Sequence, residues 1–155
     1  MKKNLKVSRL NIAYEDVLKR TELSSSTVIM VHHHSILLGW NTWRKQWELP
    51  SGHIEDGELP NQTAIREVDE EVHYVLEEIK YIDSFSVKSS AENSAHIRVI
   101  FYTNITEVQQ DEFNYDPNMN ENDKLVWLSV EDISKSDKID YADSLILKSL
   151  KNWFS

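Results

Sequence analysis

The chain has 155 residues, 40% hydrophobic and 28% charged, and no cysteine. This balance suits one globular domain over residues 1–155 with a core of its own, and the missing thiols exclude disulfides, thiolate nucleophiles and Cys-ligated zinc. A formal net charge of −9 argues against a nucleic-acid polymer as partner, because such binding relies on Lys and Arg neutralising phosphates.

Lys2 and Lys3 lead into no apolar run, and no stretch has the apolar length of a membrane helix, so a cytoplasmic protein without membrane contact is expected. Leu5, Val7 and Ile12 suggest an early strand, Glu15 to Arg20 a short turn of helix, and Ser24 to Ser26 a loop. Thr27 to Val31 is a β-branched, apolar run of the kind strands favour, and Ile36 to Leu38 resumes it. The intervening His32, His33 and His34 then form the turn of a hairpin. Neighbours on a strand point to opposite faces, so three consecutive histidines rarely meet at one ion. Trp40, Trp43 and Trp47 follow, with Arg44 and Lys45 between them. Packing or loop anchoring is the default role for most of these rings. The functional alternative is a base-stacking wall beside a cationic pair, with Arg44 and Trp47 as substrate-binding candidates.

The stretch from Gly52 to Tyr74 organises the chain. Ile65, Val68, Val72 and Leu76 recur at three- and four-residue spacing, which puts them on one helical face. Glu67, Glu70 and Glu71 fall on roughly the opposite face, with Arg66 beside them. An acidic run is ordinarily a solvated face. Like charges at this spacing, however, cost a helix about 0.2–0.5 kcal/mol per pair, and converging carboxylates suit Mg²⁺, a hard cation that keeps waters for a phosphate-bearing substrate. Pro60 suits a first-turn position, where its missing N–H costs nothing, whereas Leu59 before it is a poor cap.

This stretch resembles the Nudix box, Gly-x5-Glu-x7-Arg-Glu-U-x-Glu-Glu-x-Gly-U, where U is a bulky aliphatic residue. Gly52, Glu58, Arg66, Glu67, Val68, Glu70 and Glu71 fall in register. His73 stands at the position of the last glycine and Tyr74 at that of the last aliphatic residue. A glycine there closes the helix in a left-handed conformation, which histidine adopts more readily than most residues. The approach Trp47-Glu48-Leu49-Pro50-Ser51-Gly52 also resembles the family's, with Ser51 in place of the first of two glycines.

Downstream, Ile79 to Val87, His96 to Thr103 and Leu125 to Leu128 read as strands. Glu107 to Lys124 is polar and acidic and reads as a loop over the site, while Asp140 to Phe154 forms a terminal helix. The resemblance covers roughly residues 27–133. It implies an α/β fold, an α/β/α sandwich around a mixed sheet with a loop–helix–loop motif. It also implies Mg²⁺, or Mn²⁺ in its place, held by Glu67, Glu70, Glu71 and the Gly52 carbonyl, and a Glu58 that orients Arg66. Glu67 and Glu121 are the candidate general bases, with Asp123 the alternative to the latter. The implied activity is hydrolysis of a phosphoanhydride in a nucleoside diphosphate linked to another moiety, leaning to a nucleoside triphosphate. The alternative is a Nudix-like module that binds a nucleotide or protein without hydrolysis. The partner is then a nucleotide-type small molecule, and the chain a monomer or homodimer.

Overall fold

The protein is described from a computed structural model over residues 4–106 and 124–154. Among these residues an eight-stranded mixed sheet runs through the molecule in the order β1-β6-β7-β2-β3-β4, with β5 added to β2 and β8 to β3. The strands are β1 Leu5–Arg9, β2 Leu23–His32, β3 Ser35–Asn41, β4 Gln46–Glu48, β5 Ser51–His53, β6 Lys80–Ser89, β7 His96–Asn104 and β8 Leu125–Ser129. The β2–β7 pair is parallel and the other strand pairs are antiparallel. The helices are α1 Tyr14–Val17, α2 Pro60–Val72, α3 Val130–Lys135 and α4 Tyr141–Ser149, followed by a 3₁₀ turn at Lys151–Trp153.

The centre of the sheet is buried on both faces, which is why Thr27–Val31 reads as a continuous apolar run rather than an alternating one. Val28 and Met30 of β2 join Ala64, Val68 and Val72 of α2 in one core. Ile29 and Val31, pointing the other way, join Ile146 and Leu147 of α4 in a second. This is the expected α/β/α arrangement. No helix among the described residues is long and apolar enough to cross a membrane.

Several expected boundaries shift. Ser24 to Ser26 belongs to β2 rather than to a loop. Ser26 is fully buried, its hydroxyl donating to the Pro60 carbonyl at 2.7 Å, so tertiary contacts override the preference of serine for turns. The first strand ends at Arg9, before Ile12, and the helical turn near residue 15 covers Tyr14–Val17. Leu76 lies beyond α2 yet remains buried in its core. The terminal helix ends at Ser149 and tightens into the 3₁₀ turn. Of the three histidines, His32 ends β2, paired with Ser35, and His33 and His34 make the β2–β3 turn, both with positive φ, the geometry of a tight hairpin. The segment 107–123, with Glu121 and Asp123, lies outside the described residues.

Candidate active site

Helix α2 starts at Pro60, and the Gln62 side chain accepts the Leu59 N–H at 2.8 Å, which compensates for a residue that cannot cap with its own side chain. It ends at His73, with φ 52° and ψ 44°, whose N–H reaches the Asp69 carbonyl. Histidine thus performs the left-handed closure that glycine would otherwise supply. The Val68 and Val72 stripe fixes the helix on the sheet, and that fixes where the opposite, acidic face points.

Arg66 is the hub of this face. Its Nε and Nη2 donate to the two Glu58 oxygens at 2.7 and 2.9 Å, a bidentate clamp. Its Nη1 donates to Glu67 at 2.8 Å and to Glu70 at 3.3 Å, while Nη2 also reaches the His53 carbonyl at 3.0 Å. Glu55 approaches the same guanidinium at 3.3 Å. Glu58 further accepts from the Thr63 hydroxyl and the Glu55 N–H. The Arg66 bonds, with that N–H, hold the Glu58 carboxyl down to about 2, and Glu58 in turn raises Arg66 above its ordinary range.

Strand β5 brings the start of the motif to the helix. Gly52 pairs with Ser26, and a Cβ on Gly52 would overlap the Glu67 carboxylate. Glycine is required there for close approach rather than for a special φ. Gly52, His53 and Glu71 then line one cleft of about 730 Å³. Glu70 is the more exposed member of the trio, at 44%. Among the described residues no three His, Asp or Glu side chains converge tightly enough to hold an ion by themselves. The donor set of Gly52, Glu67 and Glu71 nonetheless fits a hard cation, because Mg²⁺ is commonly held by one or two carboxylates with the remaining positions filled by substrate and water.

The rest of the cleft comes from residues that the motif does not mark. Arg98 on β7 donates to Asp143 on α4 at 2.7 Å, and the Leu49 N–H donates to the other Asp143 oxygen at 2.9 Å. Asp143 is 3% exposed. Burial pushes its carboxyl up to about 7, although Arg98 pulls the other way. Glu48 accepts from Arg44, Gln46 and Asn41; burial raises its pKa, but these bonds outweigh it and leave the carboxyl below its ordinary value. Gln46 also bonds Asp140 at 2.8 Å. Sequence reading gave no sign of the Arg98–Asp143 pair, since 45 residues separate its members; its one local signal is an acidic residue in the first turn of α4.

The structure gathers Glu58, Glu67 and Glu70 on Arg66 along the acidic face of α2 and sets Gly52 against Glu67; of the six motif residues, Gly52 and Glu71 line the cleft itself, and Glu58, Arg66, Glu67 and Glu70 lie outside its lining. Arg44 lines the cleft, but Trp47 is absent from its lining. Trp47 packs edge-on against Trp40 at 5.1 Å and against the α4-side core.

A family model for the NUDIX domain matches residues 19–150. Among solved structures, a mutant of the Bacillus subtilis pyrophosphohydrolase BsRppH is similar at a TM-score of 0.67 and 20% identity, over 97% of this chain and 93% of that one. The NUDIX domain of Shewanella oneidensis NrtR, complexed with ADP ribose, is similar at a TM-score of 0.65 and 14% identity, over 94% and 95% of the two chains. The C. elegans Ap4A hydrolase is similar at a TM-score of 0.59 and 18% identity, over 86% and 99%. No protein with a curated description matches the chain closely enough to count as a relative.

Proposed function

The chain belongs to the Nudix family of hydrolases, and from that premise we propose that it hydrolyses a phosphoanhydride bond in a nucleoside diphosphate linked to another moiety, with a nucleoside triphosphate as the leading substrate. The observation that carries this reading is the close approach of the Glu67 carboxylate to Gly52, which lines the cleft together with Glu71. A solvated acidic face has no need of a glycine pressed against one of its carboxylates.

Members of the family generally use a divalent metal. In this reading Mg²⁺, or Mn²⁺ in its place, is held by Glu67, Glu70, Glu71 and the Gly52 carbonyl. When bound, such a cation neutralises phosphate oxygens and lowers the pKa of an attacking water. Arg66 positions Glu67 and Glu70, and Glu58 positions Arg66. Glu67 or Glu121 takes the proton of the attacking water. Arg44, paired with Glu48 in the cleft wall, is the candidate donor to a substrate phosphate.

The test is a panel of nucleoside triphosphates, dinucleoside polyphosphates, ADP-ribose and nucleotide sugars, with products resolved by chromatography. Release of a nucleoside monophosphate with Mg²⁺ or Mn²⁺, abolished by excess chelator, is the expected result. Full turnover in chelator removes the metal-dependent reading. Binding without any product from the whole panel favours the non-catalytic alternative.

A further inference from the structure

Trp43 is 95% exposed, the most exposed of the large hydrophobic side chains among the described residues. It sits in the turn between β3 and β4, and it lines the same cleft as Gly52 and Glu71. Exposed loop residues are usually mobile, but this turn is clamped. The Asn41 side-chain oxygen accepts the N–H groups of Trp43 and Arg44, both at 3.0 Å. The Lys45 N–H returns to the Asn41 carbonyl at 2.7 Å. Asn41 also donates to Glu48 at 3.1 Å, and Glu48 holds Arg44 at 2.8 Å. The backbone beneath Trp43 is therefore fixed from both sides while its ring is left in water.

The neighbouring rings are already engaged. Trp40 and Trp47 pack edge-to-face, and the Lys124 ammonium lies 5.4 and 5.5 Å from their ring centres. Among the described residues Trp43 has no ring partner. A Trp side chain buries roughly 150–250 Å² when it is covered, so an uncovered indole on a held backbone, lining a cleft, offers its face to a flat partner. One isolated ring in polar surroundings is too small for a protein-docking patch, which leaves an aromatic ring of the bound small molecule as the partner that fits.

We propose that Trp43 is the stacking platform for the base of the nucleotide bound in this cleft, and so a specificity-determining residue. The proposal rests on the reading of the site as one for a nucleoside diphosphate derivative. Every base has a π-face, so stacking here selects nucleotides over base-free phosphates without choosing strongly among bases.

The test is equilibrium titration of the full chain, in Mg²⁺, with ADP and with inorganic pyrophosphate, for the parent, Trp43→Ala and Trp43→Phe. Loss of one base-stacking ring is expected to weaken ADP roughly tenfold or more in Trp43→Ala, with pyrophosphate changed by no more than about twofold. Trp43→Phe, which retains a flat ring, recovers most of the loss. Unchanged ADP affinity in Trp43→Ala overturns the proposal, as does an equal loss for both ligands. A parent that binds ADP no tighter than pyrophosphate, or does not bind it, overturns it too. Hydrolysis is read separately on the same samples. If no nucleotide is cleaved but the Trp43-dependent preference for ADP persists, the enzymatic reading falls and the stacking role stands.

Discussion

Gly52→Ala is the sharpest perturbation the site offers, because the three atoms nearest the added methyl all belong to the Glu67 carboxyl. Its Cβ would overlap the Glu67 carboxylate, which Arg66 holds at 2.8 Å. The end of a glutamate side chain can swing away, so the cost to the fold belongs at the low end of overpacking penalties, about 1 kcal/mol. That corresponds to a fall in Tm of roughly 2–4 °C for a chain of this size. The cost to chemistry is larger, since a displacement of about 1 Å in a positioned group can cost on the order of 100-fold in rate. Gly57→Ala is the matched control. Gly57 has φ +82° and nothing within 4 Å of its added Cβ, so it carries conformational strain without a clash. Its penalty is about 1–2 kcal/mol in stability, with turnover close to that of the parent. A double-mutant cycle with Glu67→Ala, read by thermal melting, isolates the contact. With the carboxylate gone, Gly52→Ala should cost the fold almost nothing. An undiminished penalty in the Glu67→Ala background, or near-parental turnover in Gly52→Ala, refutes the argument that Gly52 exists to make room for Glu67.

Arg66→Ala should lower turnover by orders of magnitude, and Arg66→Lys should recover only part of it, because an ammonium cannot grip both Glu58 oxygens and Glu67 from one plane; undiminished turnover in Arg66→Ala rules out the positioning role. Glu70→Gln and Glu71→Gln should each leave the stability of the metal-free protein within about 0.5 kcal/mol of the parent while cutting metal-dependent turnover by orders of magnitude. Near-parental rates in both would return the cluster to an ordinary solvated face. Asp143 gives a pH signature: a carboxyl pushed up to about 7 keeps a proton in the folded state that the unfolded chain has already lost, so its contribution to stability falls as pH rises from about 4 to about 7. Melting between pH 5 and 8 should be flatter for Asp143→Asn than for the parent, and equal slopes would contradict the assignment.

The box end of the cleft was legible because its information is local. Glu58 and Arg66 are eight residues apart and meet through one loop and two helical turns. The apolar stripe on α2 fixes the opposite face once the period is known. The far wall was not legible for the complementary reason. Arg98 comes from β7, Asp143 from α4 and Trp43 from the β3–β4 turn, and only the sheet order brings them to one cleft. Ser24 to Ser26 misled because serine is read as turn-forming, whereas here it occupies a central strand paired on both edges, with β5 and β7. The tryptophan segment reads as a base-stacking wall from its composition, but composition does not rank its three rings. Trp47 is half-buried against the α4-side core and Trp40, whereas Trp43 stands in solvent.

The charge balance around Arg66 explains how the fold tolerates so many carboxylates on and beside one helix. Two unit charges ~4 Å apart repel by about 1 kcal/mol in water and about 4 at an effective dielectric of 20. Four carboxylates, Glu55, Glu58, Glu67 and Glu70, approach the one guanidinium. They do not share it equally. Glu58 takes the bidentate grip, whereas Glu67 has one short bond and Glu70, 44% exposed, has only the 3.3 Å contacts. Arg66 is therefore gripped chiefly by a carboxylate that faces it from the loop, with Glu67 and Glu70 of the helix each in a lesser contact. Solvent screens Glu70, so the repulsion that remains is modest in the fold. A divalent cation at Glu67, Glu70 and Glu71 would meet an acidic face held in shape by an arginine whose own charge is largely spent on Glu58.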